Sequence, residues 1–321
     1  MEDYSFLLSR PEWTFPDVRE EFRGKRVLIT GAGGTIGSTI AKKLQHFDLS
    51  SLWLVGHSEH PLFKLSQEIK TPIARFRVAD IRNSEGLVQK IYPDIIIHAA
   101  AHKHVGLMEN NTFEALENNT LATIRLCKAA QSIRAQFFFI STDKAVNPSS
   151  VMGASKRLAE LWIQANAPQA QILRFGNVLG SSGSLVEIIE EKIKNRQPIT
   201  LTSNSMRRYF ITAKEAAGLV LTSAVVPPGM WSLRMGRSIR IVDVINRLME
   251  CRGFSARVDL GTPGRGEKLD EELLNPGEVS EPSEYEGILQ IRFARPDADV
   301  VEHKINEVMR GVPITKVVNE P

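Results

Sequence analysis

Two stretches of this 321-residue chain carry residues whose types and spacing can do chemistry. The first is TGAGGTIG, residues 30–37, with Gly31, Gly34 and Gly37 three apart. Glycines at this spacing let the backbone turn sharply and approach a pyrophosphate. A helix starting at Thr35, Ile36 and Gly37 would add N–H donors and a positive partial charge. The expected ligand is a dinucleotide. The second stretch is STDKAVNPSSVMGASK, residues 141–156. Thr142, Asp143, Lys144 and Lys156 have side chains that can move or hold protons, whereas Met152 cannot. Met152 and Lys156 are four apart, hence on one helix face.

The elements around these stretches alternate. KRVLITG, SLWLVG, ARFRVAD, DIIIHAAA, QFFFIST and AQILRFGNV read as strands, several apolar on both faces. Segments of helical spacing separate them: STIAKKLQHF, HPLFKLSQEI, SEGLVQKIY, TFEALENNTLATIRLCKAAQSI and MGASKRLAELWIQAN. Six such strands with helices between them predict an α/β fold, a Rossmann-like doubly wound parallel sheet covered on both sides. Ligands are expected beyond the carboxyl ends of its strands. Both chemical stretches fall there.

The expected organisation is an N-terminal arm over 1–23, the dinucleotide-binding domain over 24–176, a smaller substrate-binding lobe mainly over 177–300, and a tail over 301–321. Part of that lobe, about 209–235, is expected to return to the first domain. A helix over 186–195 and helices at IRIVDVINRLMECRGF and GEKLDEELL are expected in the second lobe.

At the end of the second strand an acid commonly holds the adenosine ribose. Here LVGHSE puts Gly56 at that place. His57 and Ser58 could donate to a 2′-phosphate, which favours NADP over NAD, although no arginine is present to secure that reading. Asp80 and Ile81 after the third strand, and Ala99 and Ala100 after the fourth, fall where adenine and ribose contacts are expected.

Composition narrows the class. A hydrophobic share of 42% and a charged share of 24% are those of a folded globular chain. The net charge of +3 is spread out, with no basic run interleaved with aromatics, so nucleic acid is not an expected partner. Cys127 and Cys251 are the two cysteines; their separation predicts neither a zinc site nor a disulfide, and suits a reducing compartment. No apolar run approaches the ~18 residues of a spanning helix and the N-terminus does not read as a signal peptide, so a cytoplasmic protein is expected. His98, His102 and His104 cluster without a metal-ligand pattern.

With these pieces the chain resembles the extended short-chain dehydrogenase/reductases, and more narrowly the UDP-N-acetylglucosamine 4,6-dehydratases of polysaccharide biosynthesis and flagellin glycosylation. The resemblance is carried by GKRVLITGAGGTIGS, AAHKHVGLME, ISTDKAVNPSSVMGASKRLAE, RFGNVLGSSGS, MRRYFIT and GEKLDEELL, in family order over about residues 8–275. It departs from the family pattern at Ser182, where arginine is usual, and at Gly264–Lys268, where the family's RPGEK reads GRGEK.

The resemblance implies a nucleotide-sugar substrate, a tightly bound and recycled NADP or NAD, and a homo-oligomer. It also implies a reaction: oxidation at C4, loss of water across C5 and C6, and return of hydride to C6. Within it Lys144 would be the base, its pKa lowered by Lys156, the oxidised nicotinamide and burial. Asp143 would pass a proton to the leaving C6 oxygen, and Thr142 or Asp143 would handle the C4 hydroxyl. Lys156 would hold the nicotinamide ribose and Met152 would pack against the sugar. Lys103, Asn177 and Arg208 are expected at the substrate, Arg208 because a guanidinium forks onto phosphate. An epimerase using the same keto intermediate is the alternative, and a non-catalytic dinucleotide sensor a more distant one.

Overall fold

The computed structural model of the chain describes residues 4–253, 255–262 and 264–320. Its centre is a sheet built from β1 (Arg26–Thr30), β2 (Ser51–Gly56), β3 (Ala74–Val78), β4 (Ile95–His98), β5 (Gln136–Thr142) and β6 (Gln171–Phe175). Three short strands pair away from it with three others: β7 (Asn177–Val178) with β10 (Phe210–Ile211), β8 (Ile199–Leu201) with β13 (Val258–Leu260), and β9 (Arg207–Arg208) with β12 (Ile239–Arg240). Then β11 (Gly229–Leu233), β14 (Val279–Pro282) and β15 (Ile288–Arg292) return to the central sheet. Its order is β14-β15-β11-β6-β5-β4-β1-β2-β3. Every pairing from β11 to β3 is parallel, and the last two strands join antiparallel. The expected doubly wound sheet is present, with β14 and β15 added at one edge.

The period of two along the strands makes the two apolar layers. In β5, Phe137 and Phe139 face one layer and Phe138 and Ile140 the other. In β4, Ile96 joins the first layer and Ile95 and Ile97 the second. Strands buried on both faces need continuous apolar runs, which explains sequences such as III and FFFI.

A third apolar cluster forms the smaller lobe, from Val186, Ile189 and Ile193 of the helix Leu185–Lys194 and Val244, Ile245 and Leu248 of the helix Ile241–Arg252. The N-terminal segment joins this core through Leu7 and Leu8. It then crosses toward the sheet, where Arg10 pairs with buried Glu215 at 2.6 Å. Among the described residues no helix is long and apolar enough to cross a membrane.

Candidate active site

The sheet reverses its winding between β1 and β4, the crevice where doubly wound folds bind ligands. Gly31 follows β1 with φ +68°, and a Cβ there would lie 2.5 Å from the Ala100 nitrogen. Only a residue without a side chain fits both the left-handed backbone and this contact. Gly31 thereby meets Ala99 and Ala100. Gly34 caps the helix Thr35–Leu44 and has no side chain of its own to occupy the first N–H groups at that end. A Cβ on Gly37 would come 2.4 Å from the Gly31 carbonyl, which packs helix on turn. These features fit a pyrophosphate.

The residues expected at the adenosine come together from adjacent strand ends. Gly56 pairs with Val78, and beyond them His57 Nε2 lies 3.9 Å from Asp80 Oδ2. Arg82, two residues after Asp80, donates to Asp80 Oδ2 through Nε at 2.9 Å and a terminal nitrogen at 2.6 Å. These hydrogen bonds hold the Asp80 carboxyl below its usual range. No arginine is expected here from the sequence; the short turn Ile81–Asn83 after the third strand brings Arg82 to Asp80. Ile81 is buried behind this group, at 5% exposure.

The turn expected to carry the chemistry sits at the carboxyl end of β5. Thr142 caps the short turn Asp143–Ala145; its Oγ1 donates to Asp143 Oδ1 at 3.0 Å and accepts from the Lys144 backbone N–H at 3.3 Å. Lys144 Nζ donates to Asp143 Oδ1 at 3.0 Å and to Asn177 Oδ1 at 2.9 Å. The helix Val151–Asn166 starts directly behind, capped by Ser150. Met152 is 3% exposed and lies in the apolar layer of that face. Lys156, one turn on, donates to the Ile140 carbonyl at 2.6 Å and sits 3.8 Å from the centre of the Phe139 ring.

At Lys144 the net direction of the pKa change is opposite to the expectation, although burial acts in the expected sense. Burial pulls the Lys144 pKa down, but Asp143, Glu271 and the hydrogen bond to Asp143 outweigh it, so the net direction is up. Burial pushes Lys156 down to about 7, against a weaker opposing pull from Glu160. The cation that opposes these carboxylates at Lys144 is Arg208 rather than Lys156.

GEKLDEELL is not a helix. It forms an irregular strap, within 264–278, laid along the turn 143–151. Ser149 Oγ donates to the Gly266 carbonyl at 3.0 Å, Lys268 Nζ to the Val146 carbonyl at 2.8 Å, and the Asn147 N–H to Asn275 Oδ1 at 2.8 Å. Glu271 Oε1 reaches to 3.5 Å from Lys144 Nζ. Polar side chains that could line a helix surface satisfy the turn instead. Gly261 and Gly264 before GEKLDEELL, Gly266 at its start and Pro276–Gly277 after it were the available signal.

Arg208 is buried and donates to the carbonyls of Arg207, Leu269 and Lys268, at 2.7, 3.1 and 2.8 Å. Expected at a phosphate, it holds the strap here. Lys103 reaches the loop at Ser181–Ser182, donating to the Ser182 carbonyl. The Ser182 N–H donates to Thr35 Oγ1 at 3.0 Å, so this loop touches the glycine cradle. Asn177, expected at the substrate, is a partner of Lys144. Arg265 is exposed, 3.7 Å from Glu109.

Three buried residues were missed from the sequence. Asn119, in the π-helical stretch Leu116–Leu121, donates to the His102 carbonyl at 2.9 Å and to Ser155 Oγ at 3.0 Å. Arg174 of β6 joins Glu160 at 2.7 Å to Glu278 at 2.6 Å, tying the lysine-bearing helix to the strap's end. Glu271 is the third.

A family model described as polysaccharide biosynthesis protein matches residues 27–293. The capsular polysaccharide biosynthesis protein CapD of Staphylococcus aureus is 39% identical over 312 residues, covering 90% of this chain and 52% of CapD. The chain thus spans about half of that relative's length. A UDP-N-acetylglucosamine 4,6-dehydratase (inverting) of Campylobacter jejuni is 30% identical over 213 residues, 63% of this chain and 64% of the relative. Among solved structures, Pen from Bacillus thuringiensis superposes with a TM-score of 0.78 at 28% identity, covering 90% of this chain and 99% of Pen.

Proposed function

Since the chain belongs to the polysaccharide biosynthesis protein family, we propose that it is a nucleotide-sugar 4,6-dehydratase acting on UDP-N-acetylglucosamine or a close relative. The product is a 4-keto-6-deoxy sugar nucleotide. The observation that carries this reading is the Thr142–Asp143–Lys144 turn at the end of β5, with apolar Met152 on the helix behind it. An oxidation that loses no water needs no adjacent acid and amine. An elimination needs one group to take the C5 proton and another to protonate the leaving oxygen.

NADP or NAD, held by Gly31, Gly34, Thr35, Ile36 and Gly37 with Asp80 and Ala99–Ala100 toward the adenosine, supplies the hydride exchange between C4 and C6 when bound. Asp143, linked to the Thr142 hydroxyl, takes the C4 hydroxyl proton and gives it to the departing C6 oxygen. Lys144 removes the C5 proton and later returns one. Lys156 fixes the nicotinamide ribose, and Met152 keeps the floor of the site apolar. Lys103 supplies a cation at the substrate side, and the working form is a homo-oligomer.

Incubation with UDP-N-acetylglucosamine in D2O tests the reading. The expected product is lighter by one water, has a C6 methyl group, and carries solvent deuterium at C5, because the C5 proton passes through an exchangeable amine. A C4 epimerase gives an isomer of unchanged mass without deuterium, since its hydride leaves and returns at one carbon. Unchanged mass with bound sugar rejects the dehydratase for this substrate.

A further inference from the structure

Lys144 must enter the elimination as an amine, but the site holds it as an ammonium. Its Nζ donates to Asp143 Oδ1 and Asn177 Oδ1, and Glu271 Oε1 lies 3.5 Å away. Arg208 Nε lies 3.7 Å from the same Glu271 oxygen. The charged groups facing Lys144 are therefore Asp143 from its own turn, Glu271 from the strap and Arg208 from β9. A base has to shed its proton before it can accept another, and loss to solvent is unfavourable beside two carboxylates. Glu271 offers a nearer destination. Its side chain is 4% exposed, and its Oε2 is buried without a hydrogen-bond partner among the described residues. Asp143 has a similar oxygen, Oδ2, but in the proposed reaction that carboxylate receives the sugar hydroxyl proton.

We propose that Glu271 acts through Lys144, as a positioning residue that takes the proton Lys144 must lose before it can serve as base. The proposal rests on the dehydratase reading. In the step, an N–H bond of the Lys144 ammonium breaks and an O–H bond forms on the Glu271 carboxylate, leaving an amine and a carboxylic acid. Net charge is unchanged and no co-reactant is needed. Lys144 then takes the C5 proton and returns one to C5 once hydride has reached C6. It ends the turnover as an amine, with Glu271 still protonated. Two carboxylates of one cluster thus have separate tasks: Asp143 serves the sugar oxygens and Glu271 serves the lysine.

The resting and active forms of this pair contain the same number of protons, so pH does not convert one into the other. Glu271→Gln removes the destination, and Lys144 must then release its proton to solvent. Turnover of that variant should rise about tenfold per pH unit through the neutral range, following a single proton, where wild type is flat. The experiment measures water loss from UDP-N-acetylglucosamine against pH for the full chain, Glu271→Gln and Glu271→Asp. It also follows the Lys144 Cε resonance in 13C-lysine-labelled protein without substrate, identified by its loss in Lys144→Arg. Expected are a rising profile for Glu271→Gln, a flat profile at reduced kcat for Glu271→Asp, and a Lys144 resonance that titrates at lower pH in Glu271→Gln than in wild type. A Glu271→Gln profile parallel to wild type, at any height, overturns the proposal. So does an unmoved resonance. If Glu271→Gln does not fold, Glu271→Asp decides: a flat profile supports the proposal and a rising one overturns it. Wild type that loses no water rejects the dehydratase reading instead, and the resonance still reports whether Glu271 acts on Lys144.

Discussion

Gly153 and Lys144 meet backbone to backbone: a Cβ on Gly153 would lie 2.1 Å from the Lys144 carbonyl oxygen. The helix that carries Lys156 is thereby seated directly on the turn that carries Asp143 and Lys144. Gly153→Ala must push the two apart, because a carbonyl cannot yield as a side-chain tip can. A stability loss of about 1–3 kcal/mol is expected from overpacking, with a larger proportional fall in kcat than in cofactor affinity. Denaturant unfolding and single-turnover assays measure both; wild-type turnover in the variant would count against this seating.

Lys144→Ala should abolish dehydration and leave cofactor binding near normal, because the glycine cradle and Lys156 are untouched. Retention of more than about a tenth of wild-type turnover, a barrier change under ~1.4 kcal/mol, would remove Lys144 from the role of base.

Lys156 makes a stability prediction. Burial sets its pKa at about 7 against the ordinary 10.5. Between these values the unfolded chain binds a proton that the folded chain does not. Stability of cofactor-free protein should therefore gain up to ~1.4 kcal/mol per pH unit from this group as pH rises across that window. The gain is fully present above the ordinary value and lost as pH falls through about 7. Lys156→Met should flatten this part of the curve, read from urea midpoints at several pH values.

Arg174 is 1% exposed between Glu160 and Glu278. Burial raises the Glu278 pKa, but hydrogen bonding and charge from Arg174 overcome it and hold it at about 2. The stability from this group is present above the ordinary 4.5 and lost as pH falls toward about 2. Arg174→Met leaves two buried carboxylates without their main cation. It should cost about 3–5 kcal/mol and remove this group's share of the acid sensitivity, as a set of pH-dependent unfolding curves would show.

Gly31→Ala tests the cradle. Wild-type protein is expected to release NADP or NAD on denaturation, whereas the variant should carry neither, since its Cβ would meet the Ala100 backbone. Absorbance and chromatography of the denatured supernatant decide it.

The sequence alone determined the six strands β1 to β6 and the position of the two chemical stretches, but not the edge strands β14 and β15. Runs such as KRVLITG and QFFFIST alternate with helical periods, and local patterns of that kind suffice to place Gly31 and Asp143 at strand ends. Short-range spacing also set Met152 and Lys156 on one helix face. It did not determine the electrostatics. Lys144 is held charged against burial by its neighbour Asp143 together with Glu271, 127 positions away in a segment that reads as a helix, and Lys156 is depressed by burial under the Phe139 layer. The strap's conformation follows from hydrogen bonds to the turn at 143–151, which exist only once the smaller lobe has folded against the sheet. Desolvation and charge pairing depend on distance in space, so only the tertiary structure decided which lysine is held charged and which is pushed toward neutrality.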